Sequence, residues 1–545
     1  MDLTASANVA AHLLNQARAQ PDAVALRIPQ AGKQAEAISY ATLAQQARSL
    51  ATHLQIQGLG EGTRTLLAVP PGADLVRAVF ALFLSGSAPV VIDPGMGLKK
   101  ARACVRNTRP DGLLAVPAAQ WLSRLFPGDF RTVRTRITVN KALWRRLETS
   151  PSAAEVTPTD SSEAVAAILF TSGSTGPPKG VVYEHRLFDE QVRLIAAHYG
   201  IEPGEVDLPL LPVFALFDPA MGMTTVVPPI DPRKPAAVEP ARLVKAIQTH
   251  AVTTSFGSPA IWARVGDWCI QNSVTLPSVR RILMAGAPVP PQVLRQFQKI
   301  LPHGEVHTPY GATEALPATS IAASEILEET WSLTESGHGT CVGKPFTGVD
   351  VRILRLSEDT VPELRGDWEC PTGEVGEIIV RGPSVTQAYF AAPEATARSK
   401  IKDPSGLPQW HRMGDLGYRD ASGRIWFCGR VVERVQTQAG TLLTDKVEGV
   451  FNAHPQVARC ALIGLGEAGM QRPLVVVEPC SAAYPKRARQ RQHFIDALLE
   501  RGQNGEQARQ IERFVFQKKL PVDVRHNAKI HRLTLKASYE LKAGI

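Results

Sequence analysis

The stretch Thr171-Ser-Gly-Ser-Thr-Gly-Pro-Pro-Lys-Gly180 decides the fold. It directly follows the apolar run from Ala164 to Phe170, which is typical of a buried β-strand. Small residues let the backbone approach a polyphosphate closely, while the hydroxyl groups and Lys179 meet its negative charge. The pattern therefore predicts a strand that leads into a phosphate-binding loop.

Two other interpretations of this loop are disfavoured. A Walker A loop has Gly directly before the lysine and Ser or Thr directly after it, whereas here Pro178 precedes Lys179 and Gly180 follows it. A flexible Ser/Gly linker is the structural alternative, but such linkers rarely place one lysine behind two prolines directly after a buried strand. The phosphate-binding interpretation is therefore retained.

The composition is that of a globular protein with more than one folding unit. The chain has 545 residues, which is too long for one ordinary core, and 44% of them are apolar and 20% charged. The net charge of +9 is a mild excess that is compatible with anionic substrates, acidic lipid surfaces or nucleic acid. Nucleic-acid binding has the least support, because the sequence lacks a recognisable helix-turn-helix, zinc finger or aromatic stacking motif.

The cysteines and the N-terminus predict a cytoplasmic protein. The seven cysteines are scattered and form no CxxC pair, which is typical of reduced thiols. The N-terminus opens on Asp2, and the helical spacing of Ala10, Leu13, Leu14 and Ala17 argues against a signal peptide. Since no run reaches the roughly 18 apolar residues of a membrane span, we expect a soluble chain without a transmembrane segment.

Short apolar runs alternate with helical periodicity in the first part of the chain. Strand-like residues from Thr65 to Val69 precede a helical stretch from Ala73 to Leu84, and a second strand-like run covers Val90 to Ile92. Further strands are predicted at Arg281 to Met284 and at Glu377 to Arg381. This alternation predicts an α/β fold with βαβ units and a mostly parallel sheet.

The pattern changes to a smaller unit after Gly429. Strand-like runs cover Val457 to Ile463 and Leu474 to Glu478, and a helical run covers Arg491 to Leu499. The main domain boundary is therefore expected at this point. The two predicted domains are residues 1–429 and residues 430–545.

Together with the loop at residues 171–180, the segment Tyr310-Gly-Ala-Thr-Glu314 resembles the adenylate-forming (ANL, AMP-binding) superfamily. That superfamily includes acyl-CoA synthetases, luciferases and peptide-synthetase adenylation domains. The resemblance implies that residues 1–429 form a large N-terminal domain of stacked mixed sheets and helices that binds ATP and substrate. It implies that residues 430–545 form a small, mobile α+β lid domain. It also implies that Tyr310 stacks on adenine, Thr313 contacts phosphate and Glu314 holds Mg²⁺, an ion that prefers oxygen ligands.

Other segments resemble further motifs of the superfamily in the same order. Ala285-Gly-Ala-Pro288 resembles the adenine-side loop, and Met413-Gly-Asp415 resembles the motif whose carboxylate accepts hydrogen bonds from the ribose hydroxyls. Gly429-Arg430 resembles the hinge motif, with Arg430 near ribose and phosphate. Near the C-terminus, Leu520 to Arg532 resembles the segment whose lysine, here Lys529, bridges the substrate carboxylate and the α-phosphate.

The resemblance therefore implies ATP and Mg²⁺ as cofactors. Ala528 stands where the family usually has glycine before the lysine. The implied catalytic residues are Lys529, Glu314 and Thr313, with Glu314 as the metal ligand. The implied nucleotide contacts are Thr171, Ser172, Gly173, Ser174, Thr175, Gly176, Lys179, Gly286, Ala287, Pro288, Tyr310, Gly311, Ala312, Thr313, Glu314, Asp415 and Arg430.

Two departures from the family pattern concern the acceptor of the activated acyl group. Many relatives that transfer it to coenzyme A have a Pro-x-Phe-His segment, whereas this chain has Pro212-Val-Phe-Ala215. Two residues past the hinge arginine, Val432 stands in place of the usual Asp or Lys. Both departures argue against the usual thioesterification step.

The segments PVFALFDPAMG (212–222), YGATEALP (310–317) and HRMGDLGYRDASGRIWFCGR (411–430) resemble the OleC-type β-lactone synthetases of bacterial long-chain olefin biosynthesis. That resemblance covers nearly the whole chain. It implies that a 2-alkyl-3-hydroxy fatty acid is adenylated and then attacked by its own 3-hydroxyl, which yields a β-lactone, AMP and pyrophosphate. It also implies association with the α/β-hydrolase-fold and reductase enzymes of that pathway.

No motif in the sequence identifies the acyl pocket or the base that deprotonates the hydroxyl. Long alkyl chains need apolar walls, so Phe214, Phe217, Phe256 and Gly257 are predicted substrate contacts, although each is equally compatible with an ordinary core. No base is assigned, because histidines beside loops more often serve structure. The histidines excluded for this reason are His185, His307 and His526.

Two alternatives to the lactone-forming activity remain open at this point. The first is a medium- or long-chain fatty acyl-CoA ligase, which would share the fold and the adenylation step. The second is a non-catalytic nucleotide-binding or scaffold relative, against which the intact Lys179, Glu314, Asp415, Arg430 and Lys529 argue.

Overall fold

The computed structural model describes most of the chain. The described residues are 8–30, 34–149, 161–170, 178–211, 214–230, 238–523 and 529–543. Six predicted nucleotide contacts, Thr171 to Gly176, and also His526 and Ala528 lie outside these residues.

The first part of the chain alternates strands and helices, as the periodicity predicts. Its strands are β1 (Val24–Ile28), β2 (Glu36–Ser39), β3 (Arg64–Ala68), β4 (Ala88–Ile92), β5 (Gly112–Ala115), β6 (Thr135–Thr138), β7 (Val165–Phe170) and β8 (Gly180–Glu184). Its helices are α1 (Val9–Ala19), α2 (Tyr40–Ile56), α3 (Ala73–Ser85), α4 (Leu98–Thr108), α5 (Pro117–Arg124), α6 (Lys141–Thr149) and α7 (His185–Tyr199).

The middle part begins with strands separated by helices and ends in a series of longer strands. Its strands are β9 (Val206–Asp207), β10 (Thr224–Val226), β11 (Thr254–Gly257), β12 (Arg281–Met284), β13 (Glu305–Ala312), β14 (Ala315–Ala322), β15 (Thr340–Pro345), β16 (Asp350–Leu354), β17 (Gly376–Arg381), β18 (Lys400–Ile401), β19 (Trp410–Arg419) and β20 (Ile425–Arg430). Its helices are α8 (Asp218–Met221), α9 (Pro240–His250), α10 (Pro259–Gln271), α11 (Pro291–Ile300), α12 (Ala323–Glu325), α13 (Trp331–Glu335) and α14 (Pro393–Ser399).

The last part forms a smaller unit with its own core. Its strands are β21 (Val435–Thr437), β22 (Gly440–Leu442), β23 (Val457–Leu465), β24 (Arg472–Pro479) and β25 (Phe514–Phe516). Its helices are α15 (Thr444–Asn452), α16 (Ala488–Gly502) and α17 (Arg532–Ala543). β23, β24 and β25 form a separate sheet, and the buried core beside it contains Val447, Phe451 and Val475. The domain boundary after residue 429 stays a prediction, although β20, the last strand of the preceding sheet, ends at Arg430.

Among the described residues, the first sheet has six strands in the order β6-β5-β3-β4-β7-β8. Neighbours from β6 to β7 are parallel, and β8 is antiparallel to β7. Helix α3, which connects β3 to β4, is almost fully buried and ends at Gly86 in the left-handed conformation (φ 83°). The predicted βαβ units with parallel strands are confirmed in this sheet.

The second sheet is mixed. Within the described chain it has fourteen strands, ordered β16-β17-β19-β20-β15-β14-β13-β12-β11-β9-β10-β1-β2, with β18 paired to β19. The strands β9 to β13 are parallel where they pair with one another, but every pairing from β13 through β20 to β16 is antiparallel. The prediction of a mostly parallel sheet is therefore wrong for the half of this sheet that runs from β13 to β16. Its consecutive strands β13 and β14 are joined by a tight turn, which requires antiparallel pairing.

Two further predictions concern the cysteines and the membrane. All seven cysteines are free thiols, and six of them are buried. Within the ranges that the structure describes, none of the helices has the length and apolarity needed to cross a membrane.

Candidate active site

The strands that flank the phosphate-binding segment lie at one edge of the first sheet. β7 ends at Phe170, and β8 begins at Gly180 and pairs with it in the register Phe170↔Gly180. A Cβ atom on Gly180 would lie 2.7 Å from the Phe170 ring, so only glycine fits this close packing. The backbone N–H of Phe390 donates to the carbonyl of Gly180 (2.7 Å), which fixes this edge against the segment that carries Tyr389.

Thr313 and Glu314 form the turn between β13 and β14. The hydroxyl of Tyr183 donates to the Thr313 carbonyl (2.5 Å), and the backbone N–H of Thr386 donates to the Glu314 carbonyl (3.0 Å). The Tyr389 hydroxyl donates to Glu314 Oε1 (2.7 Å). The turn and its carboxylate are therefore held in place by three residues from two other segments, β8 and the loop that contains Thr386 and Tyr389.

Tyr389 also connects Glu314 to the end of the phosphate-binding segment. The Lys179 ammonium lies 4.9 Å from the centroid of the Tyr389 ring, which is within cation–π distance. Lys179 and Glu314, more than a hundred residues apart in sequence, therefore both contact one tyrosine side chain.

Asp415 lies at the centre of a second group of contacts. It pairs with Arg430 across β19 and β20, and its Oδ1 lies 2.9 Å from Arg430 Nε. The Tyr310 hydroxyl donates to Asp415 Oδ2 (2.6 Å). Burial raises the pKa of the Asp415 carboxyl, whereas the charges of Arg430 and Lys529 lower it.

The loop Gly286 to Pro288 follows β12 directly. Gly286 has φ 96°, a left-handed conformation that side chains other than glycine adopt at a cost. The preceding residue, Ala285, donates its N–H to the carbonyl of Gly257 at the end of β11 (3.2 Å). The loop therefore starts at the carboxyl ends of two parallel strands, which is where open α/β sheets bind ligands.

Lys529 is attached to the small unit by its backbone. Its N–H donates to Asp523 Oδ1 (2.8 Å), and its carbonyl accepts from the N–H of Asp523 (3.0 Å). Three residues further on, the Arg532 guanidinium binds Glu448 (Nη2 to Oε2 2.5 Å) and Glu433 (Nη1 to Oε2 3.0 Å). Arg532 therefore connects the segment that carries Lys529 to the residues directly after the hinge.

Sequence reasoning missed three residues of this site. Tyr389 contacts Glu314, while the Lys400 ammonium donates to the carbonyl and to the hydroxyl (3.2 Å) of Thr386. Thr386 in turn donates to the Glu314 carbonyl, and burial lowers the pKa of Lys400 to about 7. Each of the three is a single polar residue outside any motif, so no local signal in the sequence singles them out.

The predicted acyl-pocket residues have different environments. Phe217 and Phe256 are buried and line one small cavity together with Met221, Met223 and Leu283. Gly257 lies at the end of β11, where an added Cβ would be 2.6 Å from Trp262 Nε1. Close packing against Trp262 is thus sufficient to require a glycine at this position. Phe214 belongs to a short 3₁₀ helix (Phe214–Leu216), but its side chain lies outside the described residues.

Of the excluded histidines, His185 is buried and His307 is partly buried. Burial lowers the pKa of both His185 and His307 to about 4, so both rings are neutral near pH 7. His307 also lies near the positive charge of Arg281, which lowers its pKa further. A neutral, poorly exposed ring at either position is typical of a structural histidine.

The side chains brought together have the chemistry that a magnesium nucleotide requires. Lys179, Arg430 and Lys529 are cations that match phosphate charge, and Glu314 offers a hard oxygen to a divalent ion. Asp415 is a buried hydrogen-bond acceptor next to Tyr310, an aromatic residue suited to stacking on a base. Burial raises the pKa of Asp415, the charge of Asp415 raises the pKa of Arg430, and the charge of Glu314 raises both further.

Comparison with known proteins agrees with this geometry. The sequence profile of the AMP-binding enzyme family matches residues 13–390. The chain belongs to the AMP-binding enzyme family. This match confirms the superfamily that the motifs predict. As a member of this family, the chain is an ATP-dependent adenylate-forming enzyme.

Two curated relatives of this AMP-binding enzyme are each named olefin beta-lactone synthetase. The protein from Xanthomonas campestris pv. campestris is 40% identical over 97% of this chain and 97% of its own length. The protein from Stenotrophomonas maltophilia is 40% identical over 98% of this chain and 99% of its own length. The resemblance to this group that the motifs indicate is confirmed.

Among solved structures, this AMP-binding enzyme is similar to the O-succinylbenzoate coenzyme A synthetase from Bacillus subtilis in complex with ATP and magnesium ion. The TM-score is 0.76 at 22% sequence identity, and the match covers 96% of this chain and 99% of that one. At this identity the likeness supports the fold, and the predicted adenylate-forming fold is confirmed.

Proposed function

We propose that this enzyme activates a 2-alkyl-3-hydroxy fatty acid with ATP and closes it to a β-lactone, releasing AMP and pyrophosphate, in long-chain olefin biosynthesis. The observation that carries the proposal is the 40% identity over nearly the full length to two relatives named olefin beta-lactone synthetase. Ala215 and Val432, which replace residues usual in coenzyme A ligases, support it as well.

For the adenylation step we assign roles by the contacts in the site. Asp415, held by Tyr310 and Arg430, accepts hydrogen bonds from the ribose hydroxyls, and Lys179 and Arg430 bind phosphate oxygens. Glu314, positioned by Tyr389, supplies the carboxylate for Mg²⁺. When bound, the magnesium nucleotide supplies the AMP group that activates the carboxylate and the metal charge that offsets the phosphates.

For the second step we propose that the substrate supplies its own nucleophile. A well-oriented intramolecular hydroxyl has an effective molarity of about 10⁵ to 10⁸ M, so coenzyme A is not needed as acceptor. Ring strain opposes closure, and the adenylate leaving group provides the driving force. The protein must exclude water, which would otherwise hydrolyse the activated acid.

The test of this proposal is a reaction without coenzyme A. The enzyme is incubated with ATP, Mg²⁺ and a racemic 2-alkyl-3-hydroxy fatty acid, and the products are separated by mass spectrometry. We expect a neutral product whose mass is one water below that of the acid, together with AMP and pyrophosphate. The same acid without its hydroxyl is the control, and it should give no such product.

The two alternatives give different results in the same assay. Turnover that depends strictly on coenzyme A would identify a fatty acyl-CoA ligase. Failure to exchange labelled pyrophosphate into ATP with any fatty acid would identify a non-catalytic relative. Assembly with α/β-hydrolase-fold and reductase enzymes, and a cytoplasmic location, remain predictions that follow from the proposed pathway.

The role of Tyr389 can be tested through the metal requirement. Tyr389→Phe removes the hydroxyl that donates to Glu314 Oε1. Since loss of a residue that orients a metal ligand typically costs 10- to 100-fold in metal affinity or activity, we expect the Mg²⁺ concentration for half-maximal pyrophosphate exchange to rise by about 10-fold. An unchanged Mg²⁺ dependence would contradict the assignment.

Tyr199→Phe is the matched control for this substitution. It also removes a buried tyrosine hydroxyl, whose partner is Ser320 Oγ at 2.9 Å. Because that hydrogen bond does not involve Glu314, we expect the Mg²⁺ dependence of this variant to equal that of the wild type.

A further inference from the structure

Helix α5 has its polar and apolar sides reversed. The side that faces the first sheet carries Gln120 and Ser123, which are both buried. The opposite side carries Trp121 and Leu122, which are 62% and 39% exposed, and Leu125, which directly follows the helix, is 51% exposed. Surface helices normally turn their apolar side toward the core. An exposed apolar patch at this position therefore indicates an interaction surface.

Hydrogen bonds fix this orientation of α5. The Gln120 side-chain amide donates to the carbonyl of Ile137 on β6 (2.9 Å) and to that of Leu113 on β5 (3.4 Å). The Ser123 hydroxyl donates to the Gln120 carbonyl (2.7 Å) and accepts from the Arg136 guanidinium (2.6 Å). A rotation that buried the apolar side of α5 would break these bonds and leave polar groups at the sheet without partners. The apolar side is therefore held toward solvent.

The segment around α5 is strongly basic. Residues 98–136 contain nine Lys and Arg residues, two Asp residues and no Glu, so they contribute seven of the nine charges in the net charge of +9. One of the two acidic residues, Asp129, is buried and bound to Arg102 (2.5 Å) and Arg106 (2.7 Å). The surface of this segment is therefore positively charged.

Helices α4 and α5 lie on the same face of the first sheet. Cys104 and Val105 of α4 and Ala119 of α5 pack in one core cluster with Leu113 of β5, whereas the next residue of β5, Leu114, belongs to the cluster that contains α3. Successive residues of a strand point to opposite faces of a sheet. The two helices therefore share the face that is directed away from α3.

The loop after α5 joins the two helices into one continuous surface. Its Asp129 binds Arg102 of α4, and the Arg102 guanidinium lies 3.9 Å from the centroid of the Phe126 ring. Lys99 lies one helical turn before Arg102, on the same side of α4. We call the combined patch the α4–α5 surface, and its exposed residues include Lys99, Arg106, Trp121, Leu122, Arg124 and Leu125.

The chemistry of the α4–α5 surface matches an anionic phospholipid bilayer. Tryptophan, with an apolar ring and a polar N–H, is enriched at the boundary between headgroups and acyl chains. Each Lys or Arg near an anionic lipid surface contributes about 1 kcal/mol. A protein partner matches less well, because Lys is depleted from protein interfaces. Nucleic acid would match the charge but leave the leucines in water.

We propose that the α4–α5 surface docks this protein reversibly on bilayers that contain anionic phospholipids. Trp121, Leu122 and Leu125 enter the headgroup region, while Lys99 and Arg124 bind lipid phosphates. The inference is independent of the proposed function, since it involves neither the nucleotide site nor the fatty acid.

Sedimentation with vesicles tests this docking. The full chain is mixed with vesicles of phosphatidylcholine, or with vesicles of equal amounts of phosphatidylcholine and phosphatidylglycerol, and the bound fraction is measured after centrifugation. We expect at least about 10-fold tighter binding to the anionic vesicles, because two or more cations contribute about 1 kcal/mol each. Raising the salt concentration to about 1 M should abolish this difference, since the Debye length falls to about 3 Å.

The apolar part of the surface is tested with Trp121→Ser/Leu125→Ser. This double variant removes exposed apolar area and should weaken binding to the anionic vesicles by at least about 10-fold. Ile270→Ser/Leu407→Ser is the matched control, because it removes two exposed apolar side chains outside the α4–α5 surface. We expect the control to bind both kinds of vesicle as the wild type does.

The basic part is tested with Lys99→Gln/Arg124→Gln. Loss of two charges should weaken binding to the anionic vesicles by about 10-fold and leave binding to phosphatidylcholine unchanged. Arg489→Gln/Arg491→Gln, which removes two exposed charges from α16 in the small unit, is the matched control and should bind as the wild type does.

Wild-type melting temperature and pyrophosphate exchange establish that each variant is folded. Equal binding of the wild type to both kinds of vesicle, or unchanged binding of Trp121→Ser/Leu125→Ser, would overturn the inference. Self-association of the wild type that this variant abolishes, without any binding to vesicles, would also overturn it and identify a protein interface. Vesicle binding by an enzyme that forms no lactone would leave the inference intact while the proposed function fails.

Discussion

Lys529→Ala is expected to slow adenylation by about 100- to 1000-fold, the typical cost of losing one preorganised donor to a transition state. Negative charge accumulates on the α-phosphate as the carboxylate attacks, and an ammonium at this position stabilises it. The structure places Lys529 near enough to Asp415 for its charge to lower the pKa of that carboxyl. The measurement is the rate of pyrophosphate exchange at saturating ATP.

Lys519→Ala is the matched control for this experiment. Lys519 is an exposed lysine of the same small unit, ten residues earlier in the sequence, and the proposed mechanism assigns it no role. We expect this variant to exchange pyrophosphate at the wild-type rate. A wild-type rate in Lys529→Ala would exclude the proposed role of the lysine, whereas a loss in both variants would indicate a general effect of lysine charge.

The contacts of Arg532 tie the segment that carries Lys529 to the residues that follow Arg430. Arg532 is bound to Glu448 and Glu433, and Glu433 lies three residues after Arg430. Arg430 itself pairs with Asp415, so two ion pairs, Asp415–Arg430 and Glu433–Arg532, lie on either side of the residues directly after the hinge. We propose that a rotation of the small unit about the hinge would move Lys529 and Arg532 together.

The parts of the fold that the sequence predicts are those set by local physics. The strand from Arg281 to Met284 is predicted with the bounds that it has in the structure. Its four residues are all buried, and three of them are apolar. β7 differs from its predicted range by one residue. Such strands are buried on both faces and therefore appear as continuous apolar runs.

The antiparallel half of the large sheet could not be predicted in the same way. Its order, β16-β17-β19-β20-β15-β14-β13, places β15 beside β20 although some eighty residues separate them. The alternation of apolar and polar residues specifies a strand but not its partner, which depends on long-range packing. Residues 388–390 pair with β8, and this pairing brings Tyr389 to Glu314. The sequence does not predict it, because it too depends on long-range packing.

The site shows the same division between local and long-range information. Tyr310, Glu314, Asp415 and Arg430 could be proposed from the sequence because each stands in a short motif. Asp218 stands in the segment PVFALFDPAMG (212–222), but nothing in that segment indicates that Asp218 lines one cavity together with Asp207. That juxtaposition arises because β9 and β10 are parallel neighbours, with Asp207 opposite Thr225.

Asp415→Asn is expected to lower kcat/KM for ATP by about 10- to 100-fold, because hydrogen bonds to a charged group contribute about 1.5 to 3 kcal/mol each. The amide keeps the shape of the carboxyl group but has one acceptor oxygen in place of two. It also leaves the Arg430 guanidinium, now 2.9 Å from Asp415 Oδ1, without a negative partner. The measurement is the dependence of pyrophosphate exchange on ATP concentration, with the acid at saturation.

Asp420→Asn is the control that removes a comparable ion pair from the same hairpin. Asp420 accepts from Arg424 Nε (2.9 Å) and from Trp426 Nε1 (2.9 Å), and the proposed mechanism assigns it no nucleotide contact. We expect this variant to melt at a lower temperature and to keep the wild-type KM for ATP. If both variants changed KM equally, the loss in Asp415→Asn would reflect disturbance of the hairpin. Weaker ATP binding in Asp415→Asn alone would support the Asp415 carboxylate as the ribose acceptor. Asp415 contacts Tyr310 and Arg430, which are both proposed nucleotide contacts, whereas Asp420 contacts neither of them.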